Sequence, residues 1–187
     1  DNLGSLFGTL SSASLSRFAT LSRLFTYFFR TLVPLMASRP DRLALWFPRR
    51  VPGTWADERR RLVLVYAGGD DLFALGAWNE VAEYALDLLD LFRRFVGGNP
   101  EVSLSGGVAV VGDKTPVAAL ARSAGVAEEA AKSHRMTRGD RILCKNALAL
   151  FHQGGGGAVG ESADSVFHVR EELPQVLQWL KSLTAGG

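Results

Sequence analysis

The feature that most constrains this chain is the run Tyr66-Ala67-Gly68-Gly69-Asp70-Asp71-Leu72-Phe73. Before it stands the apolar segment Arg61-Leu62-Val63-Leu64-Val65, and after it Leu72-Phe73-Ala74-Leu75-Gly76. Two strand-like runs around Gly-Gly-Asp-Asp predict a β-hairpin, because glycine reaches positive φ without steric penalty and closes a tight turn. Such a hairpin carries two adjacent carboxylates at its tip. Neighbouring acids repel, and a counter-charge relieves them. Mg²⁺ or Mn²⁺ is a natural one, since hard cations take oxygen ligands. Such an ion also bridges nucleotide phosphates and activates a hydroxyl for in-line attack. An ordinary acidic turn is the other reading, since Asp and Gly are common turn residues. The tetrapeptide by itself leaves both open.

The 187 residues suffice for one domain with a real core and a small appendage. A hydrophobic content of 47% with 21% charged residues is that of a globular chain, and the net charge of +2 does not argue for nucleic acid. Cys144 is the one cysteine, which excludes an intrachain disulfide and fits a reducing, cytoplasmic setting. No signal-peptide pattern is present. The most apolar long segment, 18–36, is interrupted by Arg23 and Arg30, so no membrane span is expected. The chain opens on Asp1-Asn2-Leu3-Gly4, which reads as a strand exit, and closes just after a helical pattern. Further sequence is therefore expected on both sides.

Ser11 to Ser14 read as a polar helix entry. Phe18, Leu21, Phe25, Phe28, Phe29 and Leu32 then form the stripe of an amphipathic helix that Pro34 is expected to end or kink. Residues 37–60 are irregular and rich in arginine, including Arg39, Arg42, Arg49, Arg50, Arg59 and Arg60, with Trp46, Phe47 and Trp55 interleaved. Arginine with aromatics can grip RNA. A solvated basic insertion is the favoured reading, because charge runs are commonly solvated faces.

A helix is expected over 79–96, with Asn79 as N-cap and Glu80 and Glu83 favouring its positive end. Residues 102–111 read as a strand with Gly106-Gly107 in its middle. There the glycines serve either a packing bulge or the close approach of a ligand, with Ser105 facing a base or sugar. Pro116 opens a further helix whose alanine-rich face suits close packing on a sheet. Lys132 near its end complements the helix dipole or meets a triphosphate. Residues 133–141 read as a basic loop and 142–151 as one last strand. His134, His152 and His168 show no metal-ligand spacing and are read as ordinary residues. Gly154 to Gly157 begin a flexible linker, and 169–183 read as an amphipathic helix.

This order predicts an α+β sheet domain, with the acidic tip beside Asp1 so that three carboxylates form a metal cradle. Taken in order, Asp1-Asn2-Leu3-Gly4, Tyr66 to Phe73, Asn99-Pro100 with Ser103-Leu104-Ser105-Gly106-Gly107, Ala130-Ala131-Lys132, and Lys145-Asn146-Ala147 with Phe151 resemble one family. It is the GGDD palm domain of the large subunit of type III CRISPR effector complexes, particularly the Csm type. The resemblance covers about residues 1–152 in the sense of motifs in context.

The resemblance implies a ferredoxin-like polymerase/cyclase palm, an antiparallel or mixed sheet with packed helices, related to the GGDEF domains of diguanylate cyclases. It divides the chain into a palm over 1–153, a linker over 154–165, and the start of a C-terminal helical domain over 166–187. It implies conversion of ATP to cyclic oligoadenylate second messengers when the complex, with its other subunits and guide RNA, binds target RNA. Asp70 and Asp71 would be catalytic and, with Asp1, hold the metal. Gly68 and Gly69 would admit the triphosphate. Ser105 and Gly106 would lie near the adenine and Lys132 near phosphate. The chain begins after the first acid of the family's Asp-x-Asp pair, and the family's synthesis draws on two ATP molecules held between palms, so the activity belongs to the intact subunit. Two other functions compete. Diguanylate cyclases usually carry Glu at the tip followed by Phe, whereas this tip reads Asp70-Asp71-Leu72. A palm acting only as a scaffold would not need its acid pair.

Overall fold

The structure, a computed structural model, describes residues 15–38, 59–68, 71–153, 165–176 and 178. The expectations for Asp1, Gly69, Asp70, the 11–14 helix entry, the arginine-rich run 39–58 and the linker 154–164 lie outside them. The chain divides into two compact units, one up to Val102 and one from Ser103.

In the first unit, helix α1 (Leu15–Tyr27) passes through a π-helical turn (Phe28–Leu32) into the short α2 (Val33–Ser38). Pro34 was expected to end or kink this helix; it does not end it, and helical structure continues to Ser38 past an irregular turn. The reason is the wide turn just before it, in which the Val33 N–H donates to the Phe28 carbonyl five residues back. A π-turn relieves the clash that a proline ring makes in a regular α-helix. Phe28 and Phe29 are both buried there. Phe28 packs on Phe92 and Phe95 of α3 (Trp78–Phe95), with ring centroids 5.2 and 4.9 Å apart. Phe25 adds a second contact with Phe92 at 6.2 Å. Each such pair contributes about 0.5–1.5 kcal/mol beyond the area it buries.

The predicted hairpin is present as β1 (Leu62–Gly68) and β2 (Asp71–Gly76), paired antiparallel. The register slips between Leu64 and Tyr66, a bulge that leaves both Val65 and Tyr66 exposed. At the root of the hairpin, a Cβ on Gly76 would stand 2.7 Å from Leu62 Cα and also overlap the Arg61 carbonyl, so only glycine fits. Helix α3 starts immediately beyond. Its N-cap is Ala77 rather than the expected Asn79, and no side chain caps it. The Ala77 N–H donates instead to the Arg61 carbonyl at 3.1 Å, so the hairpin's first strand receives the helix entry.

The second unit is built on the sheet β3–β6–β7. Strands β3 (Gly106–Val110) and β6 (Ala147–Gln153) run parallel, and β7 (Val166–His168) pairs antiparallel with β6. The sheet is therefore mixed, as the α+β class implies. Helix α4 (Val117–Ser133) packs on it through Ala127 and Ala131, against Ala147, Ala149 and Val166. The alanine-rich face does what its composition suggests, since small side chains let a helix approach a sheet closely.

Four expectations for this unit are corrected. The strand expected over 102–111 begins only at Gly106, so the glycine pair opens it. The basic loop expected over 133–141 is a hairpin of β4 (Arg135–Arg138) and β5 (Arg141–Cys144), turned at Gly139 with φ +57°. The last strand expected over 142–151 is two strands, broken where Lys145 and Asn146 take left-handed φ of 60° and 50°. The helix expected from Val169 starts at Leu173, after a turn, and the unexpected strand β7 precedes it.

Candidate functional site

The site is built from the hairpin upward. Gly68 and Asp71 are Cα partners in the ladder, which leaves Gly69 and Asp70 between them. Asp71 is exposed and is the first residue of β2, so its carboxylate belongs to the hairpin's tip. Gly68 is buried. The Tyr66 ring, two residues back on the same strand, brings its hydroxyl 3.4 Å from where a Gly68 Cβ would lie. A side chain at position 68 would lie in ordinary contact with the Tyr66 ring.

Among the described residues no group of three His, Cys, Asp or Glu is arranged to hold a metal ion. Of the three expected ligands, Asp71 alone falls within them. An exposed carboxylate is a hard oxygen donor, the chemistry Mg²⁺ or Mn²⁺ requires. Asp71 is such a donor, and the other two expected ligands, Asp70 and Asp1, lie outside the described residues.

Ser105, Gly106 and Lys132 belong to the other unit. The Ser105 hydroxyl accepts the Ala147 N–H at 3.4 Å, at the start of β6. Gly106 opens β3, and a Cβ there would meet Leu148 Cδ1 at 3.6 Å, an ordinary contact. Its neighbour Gly107 is the constrained one. A Cβ there would stand 2.5 Å from the Ala127 side chain of α4 and overlap the Glu128 backbone nitrogen. Close packing of α4 accounts for the glycine at 107, and the β3–β6 register shifts between Gly107 and Ala109, a bulge of the kind open from sequence. Lys132, in the last turn of α4, pairs with Glu128 one turn back at 2.7 Å.

Two clusters escaped the sequence reading. The first is an ion network under the hairpin's root. Arg60, read as part of a solvated basic run, is buried. Its guanidinium pairs with Asp87, lies 3.8 Å from Glu83 Oε2, and faces the Tyr84 ring at 5.7 Å. Tyr84 in turn donates its hydroxyl to the Val33 carbonyl at 3.1 Å. Burial pushes the Tyr84 phenol far above its ordinary value, against the opposing pull of Arg60, so the hydroxyl stays protonated and keeps donating. The signal was in the sequence. Glu80, Glu83 and Asp87 share a helix face with Tyr84, Leu88 and Leu91, so the apolar stripe is interrupted by acids that need a counter-ion.

The second cluster gathers two of the histidines. Glu172 Oε2 lies 2.9 Å from His134 Nε2 and accepts the His168 backbone N–H at 2.6 Å. Burial holds the His168 imidazole below its ordinary value, although Glu171 and Glu172 pull the other way. Burial pushes Glu172 up, but the hydrogen bonds from His168 and His134 outweigh it and hold the carboxyl below the usual range. No spacing rule signals this cluster, because it forms only when β7 pairs with β6.

Comparison with known proteins follows the same lines. The model of the family described as Cas10/Cmr2, second palm domain, matches residues 1–142. The chain is similar to the CRISPR system single-strand-specific deoxyribonuclease Cas10/Csm1 (subtype III-A) of Mycobacterium tuberculosis, 33% identical over 158 residues. That match covers 81% of this chain and 18% of the relative. The protein of the same description from Streptococcus thermophilus is 31% identical over 158 residues, covering 81% and 17%. The chain thus spans less than a fifth of the length of these relatives. Among solved structures, a chain of the Csm1-Csm4 cassette in complex with one ATP superposes with a TM-score of 0.68 at 25% identity. That likeness covers 90% of this chain and 22% of the other.

Proposed function

This chain belongs to the Cas10/Cmr2 second palm domain family, and from that premise we propose that it carries the ATP-using site of a type III CRISPR effector subunit. The reaction is metal-dependent nucleotidyl transfer that joins ATP into cyclic oligoadenylates when the complex binds target RNA: a ribose hydroxyl of one ATP attacks the α-phosphorus of another, the α–β phosphoanhydride bond breaks, and pyrophosphate leaves. The observation that carries this reading is the exposed Asp71 carboxylate at the tip of a hairpin whose ladder pairs it with Gly68. The ATP in the similar Csm1-Csm4 structure supports nucleotide as the ligand, and its Csm4 chain supports a partner subunit of that kind; other type III subunits, with guide and target RNA, complete the proposed assembly.

In this reading Asp70, Asp71 and Asp1 hold Mg²⁺ or Mn²⁺. A divalent ion there supplies charge for the triphosphate and activation of the attacking hydroxyl. The chain's own residues do the rest. Gly68 and Gly69 let the triphosphate reach the backbone without a side chain in the way. The hairpin's ladder holds Asp71 opposite Gly68 before ATP arrives, so less ordering remains for the reaction itself.

The test uses the complete subunit assembled with its partners, guide RNA and matching target RNA, given labelled ATP with Mg²⁺ or Mn²⁺. Oligoadenylate from the native protein and none from the Asp70→Ala, Asp71→Ala double variant is the expected result. Equal product from both moves the chemistry elsewhere. No product from either, with target RNA bound, leaves the palm a scaffold.

A further inference from the structure

The buried ion network lies where the hairpin meets helix α3, and its members are better placed to orient the hairpin than to bind anything. Arg60 precedes β1 by two residues, and its guanidinium is held by Asp87 and, at 3.8 Å, by Glu83, both on α3. Arg61 contributes its carbonyl to the Ala77 N–H and its Nε to Glu80 Oε1 at 3.5 Å. Gly76 closes the same root from β2, packed against the Leu62 backbone. Through the Tyr84 hydroxyl on Val33, the network also reaches α2. A two-stranded ribbon is marginal on its own, so its direction is set by what grips its root.

We propose that Arg60, clamped by Asp87 and Glu83 of α3, is a positioning residue that aims the β1–β2 hairpin and thereby the acidic tip carrying Asp71. The inference rests on the nucleotidyl-transfer reading above and adds a residue remote from the chemistry to it. The lever is long. From Leu62 to Gly68 a strand extends about 20 Å, so a tilt of about 3° at the root moves the tip by about 1 Å. A misplacement of about 1 Å in aligned reacting groups costs on the order of a hundredfold in rate. Arginine is the residue for this task because its planar fork grips carboxylates in a fixed direction and stacks on an aromatic face, which lysine cannot do.

The experiment compares Arg60→Met, Arg60→Lys and Leu88→Ala in the assembled complex with target RNA, at a temperature well below every variant's melting midpoint. Leu88 is buried on the same helix outside the network, so its truncation destabilises the unit without releasing Arg60. Turnover and the KM for ATP are read together with amide hydrogen exchange over 62–68 and 71–76. The expected result for Arg60→Met is a ten- to hundredfold fall in kcat, a KM within about threefold, and faster exchange along the hairpin. Arg60→Lys falls between it and the native protein, and Leu88→Ala keeps its kcat. Unchanged kcat in Arg60→Met, or an equal fall in Leu88→Ala, overturns the proposal. The Asp70→Ala, Asp71→Ala variant is run beside them. Product from that variant sinks the nucleotidyl-transfer reading instead, while hairpin exchange unchanged in Arg60→Met sinks the clamp whatever the activity.

Discussion

Gly107 of β3 lies so close to Ala127 of α4 that a Cβ on the glycine would stand 2.5 Å from the alanine's own. The same Cβ would overlap the adjoining peptide between Ala127 and Glu128, which cannot swing aside as a side chain can. Gly107→Ala is therefore expected to destabilise the protein by about 3 kcal/mol, the upper end for overpacking. Gly106→Ala meets only the end of Leu148 at 3.6 Å and is expected to shift stability by less than about 0.5 kcal/mol. Urea unfolding of the two variants checks the pair. Equal effects would mean that the helix does not dictate which of the two glycines is required.

Two acids two turns apart on one face of α3 are expected to behave oppositely. Asp87 is paired with buried Arg60, so Asp87→Leu withdraws a carboxylate from a buried guanidinium and costs about 3–5 kcal/mol. Glu80 is fully buried with neither oxygen in a hydrogen bond, and Arg61, its ion-pair partner at 3.5 Å, is largely exposed. Glu80→Met removes that desolvated carboxylate and is expected to stabilise by about 1 kcal/mol. Thermal midpoints moving in opposite directions are the expected readout. A fall in both would show that the Glu80 carboxylate is stabilising where it stands.

Much of the first unit was legible because its signals are local. Short apolar runs on either side of Gly68-Gly69 specify a hairpin, and the Tyr84, Leu88, Leu91, Phe92 stripe specifies a buried helix face. The clamp was less legible because Arg59, Arg60 and Arg61 look alike in sequence, while the fold buries Arg60 and leaves the Arg61 side chain exposed. The second unit was read less well, although Gly139 and Asn146 at its breaks are of the types that favour positive φ. Lysine rarely adopts left-handed φ, so nothing marks Lys145 as a break between β5 and β6. The three residues of β7 are too few to show a period, and their partner lies in a distant stretch of chain. At the site, the sequence singled out the hairpin that carries Asp71. The partners of Lys132 and Ser105 became visible only with the fold.

Acid is expected to loosen the second unit in two stages. His168 is buried with its imidazole held below the ordinary value, facing Glu171, Glu172, His134 and Arg170. The unfolded chain takes up a proton there near pH 6.5 and the folded one only lower. The stabilisation is therefore complete above about pH 6.5 and is lost below it, at no more than about 1.4 kcal/mol per pH unit for one proton. Glu172, also held low, contributes stability above its unfolded value of 4.5 that is lost as pH falls through its folded one. His168→Gln is expected to flatten the pH dependence of the thermal midpoint just below pH 6.5 and to leave the lower-pH step. A slope unchanged in that variant would assign the proton uptake to another group.

The break at Lys145 gives a prediction whose sign separates backbone strain from ordinary propensity. At an exposed helical position such as Glu129 of α4, glycine is about 1 kcal/mol worse than alanine, because it loses more backbone freedom on folding. At Lys145 the backbone stands at φ 60°, where a Cβ crowds the following carbonyl at a cost of about 1–2 kcal/mol. That cost exceeds the entropic penalty of glycine, so the order inverts. Lys145→Gly is expected to be about 0.5–1 kcal/mol more stable than Lys145→Ala, while Glu129→Gly is less stable than Glu129→Ala. Comparing each glycine with its alanine counterpart removes whatever the native side chain contributes. Urea unfolding of the four variants reads the difference. The same order at both positions would mean that residues 145 and 146 relax out of the left-handed region and that β5 and β6 run on as the single strand the sequence suggests.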